Sequence, residues 1–343
     1  MKRPTAAILF GGKSDEYEIS LLSADTVFAH IDRKKWRVLP IGITRQGKWY
    51  LYSGCYCRIK EDLWHQKKKY LTPIRFECGA LLCGRKRIRP QAILPILHGG
   101  QGEGGDVQGL LESLALPYLG CQTAASAACM DKAHTKAILK DAGIPVAKGI
   151  CLFAKKEDLL PSCRAVTDAL SFPLFIKPAR GGSSLGASLV RNEAELSSAL
   201  RYALLYDTRI LAEEYVKGKE CEVAVFEENG RLTISVPGEI EPGAAFYDYR
   251  TKYHSSTAKL HIPARVDQTA AEQMREYAKQ AFLALGCRHI SRFDFFVKEN
   301  GEVLLNEVNT LPGLTKHSFY PALLADAGID MASFLDRLLT LSL

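Results

Sequence analysis

Residues 290–309 read ISRFDFFVKENGEVLLNEVN, two strand-like runs at 290–297 and 302–308 flanking the pair Asn300-Gly301. Asn-Gly is the preferred pair of a two-residue type I′ turn, because both central positions need a positive φ. Such a turn sets Asp294 opposite Glu307 and Arg292 opposite Asn309. The two-residue period of a strand then puts all four side chains on one face. Facing carboxylates repel and destabilise a hairpin, so a positive group belongs between them. Asp, Glu and an amide oxygen are hard donors suited to Mg²⁺, which keeps waters and substrate phosphates in its remaining positions. The bland alternative is a solvated edge that Arg292 neutralises alone.

Working outward, a run at 174–177 leads into Lys177-Pro178-Ala179-Arg180-Gly181-Gly182-Ser183-Ser184-Leu185-Gly186. Glycines let a backbone wrap phosphate oxygens, the two serines add hydroxyl donors, and Lys177 places an ammonium at the strand end. With the carboxylate hairpin, this predicts a nucleotide loop rather than a mobile turn. Further upstream, apolar runs at 6–10 and 92–97 stop at Gly11-Gly12 and His98-Gly99-Gly100, and 21–30 has helical spacing before another run at 38–43. The alternation predicts an α/β layer with a parallel sheet, whose ligand crevice opens beyond the carboxyl ends of the strands. Gly11-Gly12-Lys13-Ser14 is not a P-loop. The glycine that motif needs five residues before Gly12 is Ala7, and Asp15, Glu16 and Glu18 would crowd any phosphate. This acidic loop suits an ammonium, with Glu18 close to the helix start.

The rest of the chain reads as a helix over 126–142 closed by Gly143-Ile144-Pro145, a helix over 194–206, strands at 210–215 and 222–226, a helix over 270–286 and mostly helix over 319–339. The polar stretch 239–256 predicts a long loop, and loops of that length usually act as lids.

Composition sets the bounds. The 343 residues are 47% hydrophobic and 24% charged, ordinary for a globular protein and enough for two or three domains. Lys+Arg 45 against Asp+Glu 38 gives +7, below a nucleic-acid-binding signature. Much of that excess sits in Lys67-Lys68-Lys69 and Arg85-Lys86-Arg87, read as solvated faces. No apolar run approaches the ~20 residues of a membrane span, and the N-terminal run is too short for a signal peptide, so a soluble cytoplasmic protein is expected. The spacings of Cys55, Cys57, Cys78 and Cys83 match zinc knuckles poorly, which leaves the ten cysteines as reduced thiols.

Several motifs in order resemble the D-alanine–D-alanine ligases of the ATP-grasp superfamily over essentially the whole chain. They are Glu18-Ile19-Ser20-Leu21, His98-Gly99 through Gln108-Gly109, Met130-Asp131-Lys132, Lys177 through Gly186, Phe246 through Tyr253, Arg292-Phe293-Asp294 and Asn306-Glu307-Val308-Asn309-Thr310. The resemblance implies an α/β ATP-grasp fold of three domains: 1–124, an N-terminal α/β domain; 125–215, a central lobe; and 216–343, a C-terminal lobe with the lid and the hairpin. It implies an ADP-forming ligase that makes D-alanyl-D-alanine for peptidoglycan through a D-alanyl phosphate. The related D-alanine–D-serine ligases of vancomycin resistance are the alternative, and a non-catalytic nucleotide-binding regulator is a remote one. ATP as substrate, two Mg²⁺ (or Mn²⁺) and a homodimer follow from the same resemblance, with neither nucleic acid nor membrane as partner.

On this resemblance, Lys132, Lys177 and Lys252 neutralise ATP phosphates beside Ser184. Glu213, Glu214, Tyr215 and Val216 line the adenine, Phe246 packs on it, Glu220 binds the ribose, and Asn306 lies in the same nucleotide site. Asp294, Glu307 and Asn309 hold the metals. Glu18 binds the ammonium of the first substrate near His98, and Ser318, followed by Phe319, binds the carboxylate of the second. Arg292 and the backbone amide of Gly313 serve the developing oxyanion. Glu18, Ser183 and Tyr253 form a hydrogen-bonded set that closes the lid and keeps water from the acyl phosphate. Two features depart from the pattern: Gly104 stands where the family has an Asp after Glu103, and Phe319 offers no donor to a serine hydroxyl, which favours D-alanine as acceptor.

Overall fold

The computed structural model describes residues 3–241 and 259–343. The apolar run at the start becomes the strand Thr5–Gly11, buried at every position because it pairs in parallel with Arg37–Ile43 on one side and Ala92–Ile96 on the other. Helix Tyr17–His30 crosses beside it and packs Phe28 edge-on against Phe10. The sheet has seven strands. The four beyond Arg37–Ile43 form an antiparallel meander of Trp49–Tyr52, Leu71–Glu77, Ala80–Cys83 and Lys86–Ile88. The sequence did not predict this meander, because its strands are short and Leu71–Glu77 alternates between half-buried and exposed. Lys67–Lys69 and Arg85–Arg87 are exposed on it, as expected. Cys55 and Cys57 are joined as a disulfide next to it, which corrects the expectation of thiols throughout. The other eight cysteines are free.

A second sheet of four antiparallel strands, in the order Ser188–Val190, Leu174–Pro178, Arg209–Glu214, Gly149–Phe153, packs its apolar side chains with helices Leu160–Ala169 and Glu193–Ala203. A third sheet is built on Gly218–Glu228, flanked by Ile290–Lys298 and Gly238–Glu241. Helix Gln268–Ala284 buries Ala270, Met274, Ala278 and Ala281 against it, a spacing of three to four residues that keeps one stripe inward. The C-terminal helices Phe319–Asp326 and Met331–Thr340 share one core with the first sheet and so tie the two ends of the chain together. Among the described residues, no helix is long and apolar enough to cross a membrane.

Two local readings change. The helix expected over 126–142 is two helices, Thr123–Met130 and Lys132–Asp141. They break at Asp131, which leaves helical geometry to accept the backbone N–H groups of Ala133 and His134 as an N-cap. The hairpin loop has three residues rather than two: Lys298 pairs with Glu302, Gly301 adopts φ +83°, and Val297 faces Val303. That shifts the register by one near the turn. A bulge at Asn306 shifts it back, so Asp294 faces Glu307 and Arg292 faces Asn309 as the sequence predicts.

Candidate active site

All four hairpin residues lie on one side of the paired strands Ile290–Lys298 and Val303–Asn309, and each carboxylate meets a cation. Arg292 is buried and donates twice to Asp294, Nε–Oδ1 at 2.7 Å and Nη2–Oδ2 at 2.6 Å, while its Nε lies 3.1 Å from Glu222 of the adjacent strand. Lys132 Nζ lies 3.8 Å from Glu307. Asn309 Oδ1 accepts the backbone N–H of Leu311 at 2.9 Å, which leaves one lone pair free on that oxygen. The donors are all hard oxygens, and Arg292 and Lys132 balance only part of their charge, so a divalent metal fits this face.

The glycine loop extends from Leu174–Pro178 as expected. Ser183 and Ser184 stand consecutively at φ +54° and +57°, a conformation side chains rarely adopt outside constrained sites. Lys132, at the start of its helix, donates to the Gly181 carbonyl and so holds the loop from the other side. Lys177 Nζ sits 2.7 Å from Glu213 Oε2, and Lys136 Nζ sits 2.6 Å from Glu213 Oε1. All three side chains are buried. Burial, with Lys177 adding repulsion, brings Lys136 down to about 8 despite the attraction of Glu213. Burial also lowers Lys132 from the ordinary lysine range. A cavity of about 270 Å³ opens in front of this cluster. Lys132, Lys177, Ser184, Glu213 to Val216, Glu220 and Asn306 all line it, together with Phe175 and Phe296, which the sequence did not single out.

A second cavity of about 920 Å³ shares Lys132, Ser183, Glu222 and Glu307 with the first and continues toward the N-terminal sheet. Arg292, Asn309, Gly313, Ser318, Phe319 and His98 line it. His98 is buried between Ser23 Oγ, 3.0 Å from Nε2, and the Leu311 carbonyl, 3.1 Å from Nδ1. A carbonyl only accepts, so Nδ1 carries a proton directed at Leu311. Ser318 Oγ accepts the Thr315 N–H at 3.1 Å and lies 2.8 Å from the Thr315 hydroxyl. Phe319 is buried, and its ring packs so closely on Gly238 that a Cβ there would strike it.

One expected residue is not among those that line the cavity. Glu18 points away from this cavity, exposed, and pairs with Arg45. Glu16 lines the cavity instead, and Ser183 Oγ donates to its Oε1. The physical reason is the helix that starts at Tyr17: it buries Tyr17, Ile19 and Ser20 and turns Glu18 outward, while Glu16 stays in the loop before it. Glu103, also missed, lines the same cavity and accepts the Gly99 N–H at 2.9 Å. Burial and the nearby Glu16 push it up to about 8. A run of three acids in a loop signals a cation site, but the member that enters it depends on where the helix begins. Phe246, Lys252, Tyr253 and most of the expected lid lie outside the described residues.

Comparison with known proteins follows the same lines. A model described as D-ala D-ala ligase N-terminus matches residues 5–121, and one described as D-ala D-ala ligase C-terminus matches residues 138–340. A D-alanine–D-alanine ligase of Chlorobium phaeovibrioides is 42% identical, covering 100% of this chain and 98% of its own. One of Acetivibrio thermocellus is 38% identical, covering 98% of this chain and 94% of its own. Among solved structures, the VanG D-Ala:D-Ser ligase of Enterococcus faecalis superposes with a TM-score of 0.92 at 37% identity, all of both chains being covered. The D-alanine–D-alanine ligase of Coxiella burnetii gives 0.86 at 32% identity, covering 100% of this chain and 94% of its own.

Proposed function

The chain belongs to the D-alanine–D-alanine ligase family, and from that premise we propose that it joins two D-alanines, with ATP converted to ADP and phosphate, to supply peptidoglycan synthesis. One observation carries the reading. Two cavities of different character meet at Lys132, Ser183 and Glu307, one backed by buried lysines and the other lined by Glu16, Arg292 and Ser318. A reaction that transfers a phosphoryl group from a nucleotide to a small zwitterion needs such a junction.

A carboxylate oxygen of the first D-alanine attacks the γ-phosphorus, ADP leaves, and a D-alanyl phosphate forms. The second D-alanine, its amine unprotonated, attacks the acyl carbon; phosphate leaves with the bonding electrons of the C–O bond and the nitrogen gives up one proton, which the released phosphate can accept. Lys132 and Lys177, with Lys252, neutralise the phosphates, which is where most of the rate in such transfers comes from. Glu16 takes the role first given to Glu18, binding the ammonium of the first substrate, with His98 beside it. Ser318 holds the carboxylate of the second. Arg292 and the Gly313 N–H stabilise the oxyanion of the tetrahedral intermediate. Asp294, Glu307 and Asn309 would hold Mg²⁺ (or Mn²⁺), which when bound neutralises charge on the β- and γ-phosphates. We read the domain limits as 1–124, 125–215 and 216–343, a division supported by one sheet falling within each span.

The second reading is D-serine as acceptor. It is favoured by the overall likeness to the Enterococcus faecalis enzyme and by Lys316 and His317, which bring donors to the larger cavity. Phe319 favours D-alanine, because a serine hydroxyl buried against its ring lacks a partner, a cost of about 1–3 kcal/mol. The chain is supplied with ATP, Mg²⁺, D-alanine and equimolar D-serine, and the dipeptides are identified by mass. D-Ala-D-Ala as main product is expected, and dominant D-Ala-D-Ser replaces it with the second reading. ADP release that needs no added D-alanine overturns both.

A further inference from the structure

Lys136 does not line the cavity in which the phosphate-directed lysines are found. It comes from the fifth position of helix Lys132–Asp141 and reaches Glu213 from behind, its side chain 6% exposed. Its ammonium contacts the carboxylate at 2.6 Å but makes no well-aligned hydrogen bond. Lys177 holds the other oxygen of the same carboxylate at 2.7 Å. One buried anion therefore serves two buried cations, and a lysine that does not reach the cavity carries the surplus charge. A buried ammonium is costly, and an apolar side chain would fill the same position without that cost.

The surplus has a use when Lys177 moves. On the reading given above, Lys177 turns toward nucleotide phosphates, and to the extent that its ammonium does so it gives up its contact with Glu213. Without a second cation that departure would strand a carboxylate that is 3% exposed, which is the expensive way to break a buried pair. We propose that Lys136 is a positioning residue: it stays as the counter-ion of Glu213 and so frees Lys177 for the nucleotide. This rests on the proposed nucleotide site. It acts on ATP affinity and leaves the bond-making step alone.

The test is a double-mutant cycle on the full chain, read as the affinity for a non-hydrolysable ATP analogue with Mg²⁺ by calorimetry, and as KM for ATP against kcat. Lys136→Met is expected to weaken analogue binding and raise KM by about tenfold or more, with kcat at saturating ATP within about threefold. Lys136→Arg, which keeps the charge, should remain within about threefold of the unaltered enzyme. In a Glu213→Gln background the carboxylate that retains Lys177 is gone, so adding Lys136→Met should change affinity by less than about threefold. Unchanged affinity in Lys136→Met, an equal loss in both backgrounds, or a loss confined to kcat overturns the proposal. If Lys136→Met does not fold, Glu213→Gln is compared with the double variant, where a tenfold gap is fatal. Dipeptide synthesis by the unaltered chain is measured in parallel. Its absence removes the proposed function, whereas the coupling is read from binding alone.

Discussion

Ser183 donates its hydroxyl hydrogen to Glu16 across 167 positions of chain, joining the glycine loop beside the second sheet to the loop that leaves the first strand. Glu16 lines the larger cavity and Ser183 lines both, so the contact lies where the larger cavity meets the nucleotide side. It also separates two neighbouring acids by what they touch, since Glu18 is exposed and held by Arg45.

Replacing each acid by its amide follows from that separation. Glu16→Gln removes the anion from the cavity and is expected to lower kcat/KM for D-alanine by about a hundredfold or more. Glu18→Gln breaks an exposed ion pair, worth about 0–1 kcal/mol, and should leave turnover within about threefold of the unaltered enzyme. Steady-state kinetics on the two variants decide it. The reverse ranking would return the ammonium to Glu18.

The hairpin supplies a second test. Glu307→Gln keeps the shape of the side chain and removes one of two facing carboxylates. Turnover at saturating Mg²⁺ should then fall by about a thousandfold. Folding should be retained, because Glu307 is half-buried and Asp294 remains paired with Arg292. Near-normal activity over a Mg²⁺ titration would refute the metal assignment.

How much of this was legible beforehand depended on the local signal. Buried strands such as Thr5–Gly11 and Leu174–Pro178 show as short apolar runs because both faces are covered. The antiparallel meander was lost because its strands are short and Leu71–Glu77 is only half covered. At the hairpin, the alternation and the facing acids gave the pairing at Asp294 and Glu307 correctly, although the loop is one residue longer than Asn-Gly suggests. The bulge at Asn306 cancels that error, and no pattern in the sequence announces it. Glu16 was missed because the start of a helix is a poor guide when three acids crowd it. Lys136 was hidden inside a helical pattern, where a lysine ordinarily faces water.

Glu103 gives a pH dependence with a definite sign. Its carboxyl is raised from 4.5 to about 8 by burial and by Glu16. Between those values the folded chain holds a proton that the unfolded chain has lost, so this group stabilises most below 4.5 and its contribution disappears as pH rises through 8. Glu103→Gln keeps an acceptor for the Gly99 N–H and needs no proton. Its melting temperature should match the unaltered chain near pH 5 and exceed it by roughly 3 °C near pH 9, measured without nucleotide. A difference that does not change with pH would remove Glu103 as the source.

Glu239 works in the opposite direction. Burial alone would raise it, but hydrogen bonds from the Arg265 side chain and backbone N–H, together with Lys219, hold it down to about 2. It stands on the strand Gly238–Glu241, and Arg265 follows the strand Lys259–His261 that pairs with it, so the cluster reinforces the pairing of these two strands. The folded chain has already lost this proton while the unfolded chain still binds it between 4.5 and 2. Stability from Glu239 is therefore present above 4.5 and lost as pH falls through 2. Arg265 is half-exposed, and solvent screening reduces the contribution to about 2 kcal/mol. Glu239→Gln should lose about that much in urea unfolding at pH 7, and the gap from the unaltered chain should close as pH is lowered from 4.5 toward 2. An equal gap at pH 7 and pH 3 would mean that packing, and not the charge on Glu239, holds this junction.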